Sequence, residues 1–314
     1  MTMIEETGIK QTKLAPFRLA PYFSPRIWGR ADLRPWYDST GTKELVGEAW
    51  LTGPESVIET GPLAGRTLAS VVGEVGDSVI GVGREFPLLV KILFPNEKLS
   101  VQVHPDDRQA QAMGQPRGKT ECWYVLEAQP GATVALGLKP GTGAAEVRAG
   151  VAAGTMEELL NHVPVTAGDM IFVDAGTIHA IWPGVVLLET QQTSDTTFRL
   201  YDYGRPRELH LEQGIGVMKT QTKAGKVAPL AMNGFTRLIE EQYFSVDRFE
   251  LAAGSVTVPM EHVGCLVGLK GTGAIDGIEI KAGQAVVVPV SLGSVRVETQ
   301  SNFSFARCLA SGGE

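Results

Sequence analysis

Residues 167–179, AGDMIFVDAGTIH, can be laid without a gap on residues 282–294, AGQAVVVPVSLGS, and residues 121–128, ECWYVLEA, lie against residues 264–271, GCLVGLKG, in the same way. A chain that repeats its own apolar framework builds the same unit twice, which sharply limits the folds open to it. The interval from Glu121 to Gly168 is 47 positions and that from Gly264 to Gly283 is 19, so the first copy carries 28 additional positions. They fall over the Ala/Glu-rich stretch around residues 140–163, which reads as one or two short helices, with Thr155 and Glu158 fitting a capping box.

The repeated runs are short and β-branched, and others resemble them: PLLVKILF, ATVALGL, VVLLET. With 37 Gly and 18 Pro separating them, they predict a mainly β protein. Two such units, the second with little helix, predict two jelly-roll β-barrels with a small helical insertion in the first. At 314 residues the chain is long enough for two domains. We place the first over residues 1–220 and the second over 221–314, with the boundary in the polar stretch 220–234. Two further helices are expected: over residues 106–113, where Asp residues suit the positive end of a helix dipole, and over 209–220.

The net charge of −7 and the absence of any Lys/Arg block exclude a nucleic-acid footprint, so an anionic substrate must be met by a local basic cluster. The N-terminus MTMIEETGIK is acidic and does not read as a signal peptide, and no apolar run approaches the roughly 18–20 residues that span a bilayer. Cys122, Cys265 and Cys308 lack metal or redox spacing and read as buried, reduced thiols. A cytoplasmic, monomeric protein without membrane contact is expected.

Chemistry concentrates in the first copy. In VQVH the side chains of Gln102 and His104 are two apart and share one face of a strand, as do those of Lys119 and Glu121 in KTE. His179 ends the turn AGTIH. Two imidazoles and a carboxylate are a common ligand set for a divalent transition metal. Cys122, next to Glu121, then faces away from the cavity. The second copy has Gly264 where the first has Glu121, and Ser294 where it has His179, so it keeps the framework and lacks the ligands. Lys91, inside an apolar run, must reach a cavity or a partner, since an unpaired buried ammonium is costly. His162, His210 and His262 have no motif companions and read as local structural residues; Trp28, Trp50 and Trp123 read as core or cavity wall.

The pattern Gly, five residues, Pro in the second copy resembles the second cupin motif, and GDMIFVDAGTIH in the first fits it with Asp174 in place of Pro. Over residues 15–215 the motifs PYFSPRIWG, GEAWL, LSVQVHPDD, GKTECWYVL, AGTIHAI and TSDTTFRLYDYGR together resemble the type I phosphomannose isomerases, in their short bacterial form. The resemblance implies a cupin fold and one zinc ion held by Gln102, His104, Glu121 and His179. It implies active-site roles for Lys119, Glu189 and Arg199, and a sugar phosphate as substrate.

An aldose–ketose isomerase must remove a proton next to a carbonyl, pass through an enediol or enediolate, and return the proton to the neighbouring carbon. Arg199 suits the enediolate because a guanidinium stays charged and holds a planar pair of oxygens. Lys119 and Glu189 are equally placed by the sequence for proton shuttling or phosphate contact. Mn, Co or Fe would also suit the donors. A metal-bearing sugar-phosphate binder without turnover, and an isomerase of different sugar preference, stand as alternatives.

Overall fold

The computed structural model describes residues 14–81 and 83–311, so the stretch MTMIEETGIK lies outside the described residues. Four antiparallel sheets, of seven, five, seven and four strands, make up most of the regular structure among the described residues. The first seven-stranded sheet runs, in spatial order, Gly225–Val227, Met170–Val173, Glu121–Ala128, Val185–Gln192, Leu88–Leu93, Val46–Thr52 and Tyr22–Arg30. Facing it is the five-stranded sheet, in which Val101–Val103 lies between Phe198–Tyr201 and His179–Ile181. The second unit repeats this plan with a seven-stranded sheet built around Gly264–Lys270 and Phe303–Ala310, and a four-stranded sheet containing Gly254–Pro259 and Ser294–Thr299.

The two copies match in register as well as in sequence. Glu121 opposes Val173 and Tyr124 opposes Met170 in the first unit, while Gly264 opposes Val288 and Val267 opposes Ala285 in the second. The halves also trade edge strands: Phe17–Leu19 pairs with Ala285–Val287, and Gly225–Val227 pairs with Met170–Phe172.

Strand alternation decides what each side chain meets. Along Val185–Gln192 every residue is buried, because the two seven-stranded sheets pack back to back. Val185 and Leu187 point into the first unit with Trp123, Val125, Ile171 and Val134, whereas Val186 and Leu188 enter the layer shared with Val246, Cys265 and Ala306. Truncating one of these, for example Leu187→Ala, would cost about 2–5 kcal/mol. Cys122 lies in that shared layer, turned away from the interior that holds Glu121, and Cys265 and Cys308 lie there with it.

Four α-helices are described: α1 Leu68–Val79, α2 Asp107–Ala112, α3 Ala144–Ala153 and α4 Leu211–Val217. The sequence reading omits α1, whose Val and Gly content in LASVVGEVGDSV resembles a strand and turns; Thr67 caps it by accepting from Ser70 N. In the insertion, Met156–Leu159 is a 3₁₀ turn and Leu160–Pro164 is a strand rather than helix. The expected capping box does not form, since the Thr155 side chain makes no capping hydrogen bond; Glu146 instead accepts from Gly143 N at the start of α3. Helices α3 and α4 cover the outer face of the five-stranded sheet through Val147 and Val217. No helix among the described residues is long and apolar enough to cross a membrane.

Candidate active site

The open end of the first unit gathers His104, Glu121 and His179, all at most 1% exposed, with one ligand atom from each lying within 4.8 Å of the others. Their backbone origins explain the convergence. His179 opens a short strand whose only pairing with Val101–Val103 is to Gln102, and His104 follows that strand directly. Glu121 opens the strand that faces both from the opposite sheet. The turn before His179 closes through Gly176 N, which donates to His104 O at 2.9 Å; Gly176 has φ 91°, a conformation only glycine adopts freely. Asp174, standing where cupin motifs carry Pro, accepts from Thr177 Oγ1 at 2.8 Å and from Lys223 N at 3.1 Å, so hydrogen bonds do what ring rigidity would have done.

The two rings are oriented by the backbone. His104 Nδ1 donates to Thr196 O and His179 Nδ1 donates to Thr177 O, each at 2.9 Å. A carbonyl can only accept, so both protons sit on Nδ1 and each Nε2 carries a lone pair, which accepts from Lys119 Nζ in His104 and from the Gln102 amide in His179. Those nitrogens point at one carboxylate: His104 Nε2 is 3.6 Å from Glu121 Oε2 and His179 Nε2 is 3.3 Å from Oε1. Burial, with Lys119 nearby, drives the His104 imidazolium well below its usual range and takes His179 down to about 4, so both rings are neutral at physiological pH. Neutral imidazoles with backbone-anchored Nδ1–H groups are the form that ligates a metal.

The carboxylate is poised in the same sense. Lys119 Nζ lies 2.7 Å from Glu121 Oε2 but off the hydrogen-bonding direction, which leaves that buried oxygen without a hydrogen-bond partner. The donor set therefore fits a divalent cation on its own chemistry. Gln102 completes the ring of polar atoms, with its amide nitrogen 3.2 Å from His179 Nε2. As a ligand it would use its oxygen, which requires the amide to turn end for end.

Beside this cluster opens a cavity of about 420 Å³ lined by Gln102, Lys119, Glu189 and Arg199. Lys119 Nζ is 3.1 Å from His104 Nε2 and 3.8 Å from Glu189 Oε1. Burial opposes its charge, but Glu121 and Glu189 outweigh it and raise its pKa, so Lys119 is an ammonium. Glu189 goes the other way from an ordinary carboxylate: burial, then the Glu121 charge, raises its pKa, and its Oε1 has no hydrogen-bond partner. Arg199, cross-strand partner of Gln102, reaches the cavity mouth and donates to Glu208 O at 2.8 Å. The structure thus brings four of the seven sequence-selected residues, Gln102, Lys119, Glu189 and Arg199, onto one cavity, with the His104–Glu121–His179 cluster beside it.

Glu48, Arg26 and Arg207, all at the cavity, are not singled out by the sequence reading. Lys91, which the reading placed near a cavity or partner, stands 3.5 Å from Glu189 and 3.7 Å from Glu48. Glu48 accepts from Arg26 Nε at 3.0 Å and from Trp50 Nε1 at 2.6 Å, and Arg207 sits at the mouth, paired with Asp202 at 2.6 Å. A faint signal for Glu48 was its spacing of two from Trp50, which puts both on one strand face. Arg26 has one too, its place in PYFSPRIWG; Arg207, two residues past TSDTTFRLYDYGR, has none. Trp123 and Trp28 are buried in the interior beside the site, and His162 packs on Trp182 at 4.5 Å, away from the metal cluster.

The profile of the type I phosphomannose isomerase catalytic domain matches residues 17–136. A mannose-6-phosphate isomerase of Streptococcus mutans is 37% identical over 89% of this chain and 94% of its own length. Mannose-6-phosphate isomerase ManA of Bacillus subtilis is 35% identical over 94% of this chain and 98% of its own length. The crystal structure of a mannose 6-phosphate isomerase from Bacillus subtilis superposes with a TM-score of 0.83 at 28% identity, covering 93% of this chain and 99% of that one.

Proposed function

Because this chain belongs to the type I phosphomannose isomerases, enzymes of the mannose-6-phosphate isomerase class, we propose that it interconverts mannose 6-phosphate and fructose 6-phosphate through an enediol(ate), using one zinc ion held by Gln102, His104, Glu121 and His179. The observation that carries this reading is the pair of neutral imidazoles, each anchored at Nδ1 and each turning Nε2 to the buried Glu121 carboxylate. A divalent ion bound there supplies a Lewis acid that draws electron density from the sugar's carbonyl and hydroxyl oxygens.

The chain's own residues divide the remaining work. Glu189 is the proton carrier: its raised pKa brings the carboxylate nearer neutrality, where it can take a proton from one carbon and return it to the next. Lys119, held charged by Glu121 and Glu189, offers N–H donors to oxygen that becomes negative as the proton leaves. Trp50 and Glu48 fix Lys91 behind Glu189, with the ammonium 5.0 Å from the indole centroid.

The phosphate belongs at the mouth. Burial, then the neighbouring Arg207 charge, lowers the pKa of Arg199, and Arg26 adds to that repulsion. A phosphate placed among these guanidiniums relieves the repulsion and accepts paired hydrogen bonds. The basic cluster that an acidic protein needs for an anionic substrate is supplied by these three arginines. On this reading residues 1–220 form the catalytic unit, and residues 221–314 support its back.

The test is a coupled assay on mannose 6-phosphate and on mannose, before and after chelation, with metal analysis on the same sample. Chelation should remove turnover on the phosphorylated sugar and a metal supplement should restore it. Metal-replete protein that turns over neither sugar would leave a binding protein in place of an enzyme.

A further inference from the structure

The segment 118–121, which carries Lys119 and Glu121, is held from behind by contacts the proposed chemistry does not use. Asp107 Oδ1 accepts from Gly118 N at 2.7 Å and from Gln192 Nε2 at 2.9 Å. Gln192 Oε1 in turn accepts from Thr120 N at 2.9 Å, and Gln192 N donates to Thr120 O at 3.2 Å. Lys119 N donates to Pro105 O at 3.0 Å. Gly118 passes so close to the start of α2 that a Cβ there would lie 2.4 Å from Asp106 C and 2.5 Å from Pro105 O.

Each partner in this lattice is tied by sequence to a different part of the site. Asp107 is three residues after His104, Gln192 is three residues after Glu189, and Gly118 and Thr120 flank Lys119. Strand alternation puts Gln192 on the opposite face from Glu189, so it points away from the sugar cavity. The far side of the lattice is instead a cavity of about 850 Å³ between the two units, lined by Asp107, Gln192 and Tyr243. No side chain assigned to the metal or the substrate belongs to the lattice, yet it joins the three segments that carry those side chains.

We propose that Asp107 and Gln192 are positioning residues, a brace that sets Lys119 and Glu121 in register with His104 and Glu189. The inference rests on the reading of the Glu121 cavity as the isomerase site. A displacement of catalytic groups by about 1 Å can cost on the order of a hundredfold in rate, and the brace is what opposes such a displacement. Tyr243 brings the second unit to the same cavity that Asp107 and Gln192 line.

The test compares Asp107→Ala, Asp107→Asn, Gln192→Leu and the double Asp107→Ala/Gln192→Leu variant with the parent. It reads kcat, KM, melting temperature and the visible spectrum of the Co2+-loaded protein. The brace predicts that Asp107→Ala and Gln192→Leu each lower kcat about tenfold to a hundredfold with KM within about twofold. Asp107→Asn, which keeps the acceptor for Gly118 N, should recover most of the rate. The double variant should be no slower than the slower single one, because both act through one lattice. If Asp107→Ala does not fold, Gln192→Leu carries the comparison. Unchanged kcat in folded single variants, an Asn variant as impaired as the Ala variant, or multiplying losses would overturn the proposal. A parent without turnover refutes the isomerase reading instead. The brace is then judged by Co2+ spectra, supported if they change in Asp107→Ala and return in Asp107→Asn, and overturned if they stay the same.

Discussion

Gly264 stands at the register position of Glu121: Glu121 opposes Val173 across its strand pair, and Gly264 opposes Val288 across the equivalent pair. The second unit has closed that position. A Cβ on Gly264 would lie 2.1 Å from Cys308 O and 2.8 Å from Leu309 Cδ2. The wall behind it is inverted in charge, since Arg307 and Asp247 pair at 2.6 Å where the first unit has Glu189 and Lys91. The protein should accordingly take up one metal ion per chain. Gly264→Glu should add no second ion and should destabilise the fold by about 1–3 kcal/mol or more, through overpacking against backbone. Metal analysis and denaturant unfolding of that variant check both statements.

The ligands should behave as a set. His104→Ala and His179→Ala are each expected to weaken metal binding by more than about a hundredfold, because even outer partners of a ligand cost 10–100-fold. Activity should fall with metal content in both. Gln102→Ala should be milder, since a water can take the place of an amide. Equilibrium dialysis of the purified variants measures the order directly.

Much of this site was legible because strands alternate. The spacing of two in VQVH and KTE places four side chains on inward faces, and the gapless repeat separates the unit that keeps ligands from the one that has Gly264 and Ser294. Glu189 and Arg199 followed from motif resemblance, and the five-stranded sheet puts Arg199 opposite Gln102. What stayed hidden depends on tertiary packing. Arg26 and Glu48 lie inside the motifs PYFSPRIWG and GEAWL, but only the fold brings them, with Lys91 and Arg207, to one cavity. Helix α1 was masked by β-branched residues whose burial against the shared layer overrides their propensity. Residues 160–163 read as helix because they follow a helical stretch; pairing of Leu160–Pro164 with Thr133–Leu138 makes them a strand.

Arg199 should separate phosphate recognition from the rest of the site. Arg199→Ala is expected to retain the metal and to lower kcat/KM on mannose 6-phosphate by on the order of a hundredfold, the scale of a lost charge-assisted pair. Arg199→Lys should recover only part, because an ammonium cannot form the planar paired contact. Steady-state kinetics with metal analysis decide it; an Ala variant at parental efficiency removes Arg199 from the substrate site.

Acid should unfold the chelated protein in two stages with the same sign. For His179 the unfolded chain takes a proton near 6.5 while burial holds the folded one off until about 4. The unfolded state therefore binds more protons in that window, and stability, whole above pH 6.5, declines as pH falls towards 4. Burial opposes charge on Glu48, but Lys91, Arg26 and Trp50 prevail and bring it from 4.5 to about 2. Its contribution is present above pH 4.5 and is lost as pH falls towards 2. Urea midpoints across this range should follow both slopes, and Glu48→Gln should flatten the lower one. A midpoint independent of pH between 6.5 and 4 would contradict the buried, neutral state of His179.

Isomerisation should depend on one metal ion held by the His104–Glu121–His179 cluster. Titrating Zn2+ into chelated protein while following mannose 6-phosphate turnover tests it most directly. Turnover should be absent at the start, rise linearly and level off at one ion per chain, with neither rise nor plateau in Glu121→Ala. Full turnover before any metal is added, or a plateau reached equally well by Glu121→Ala, would contradict it.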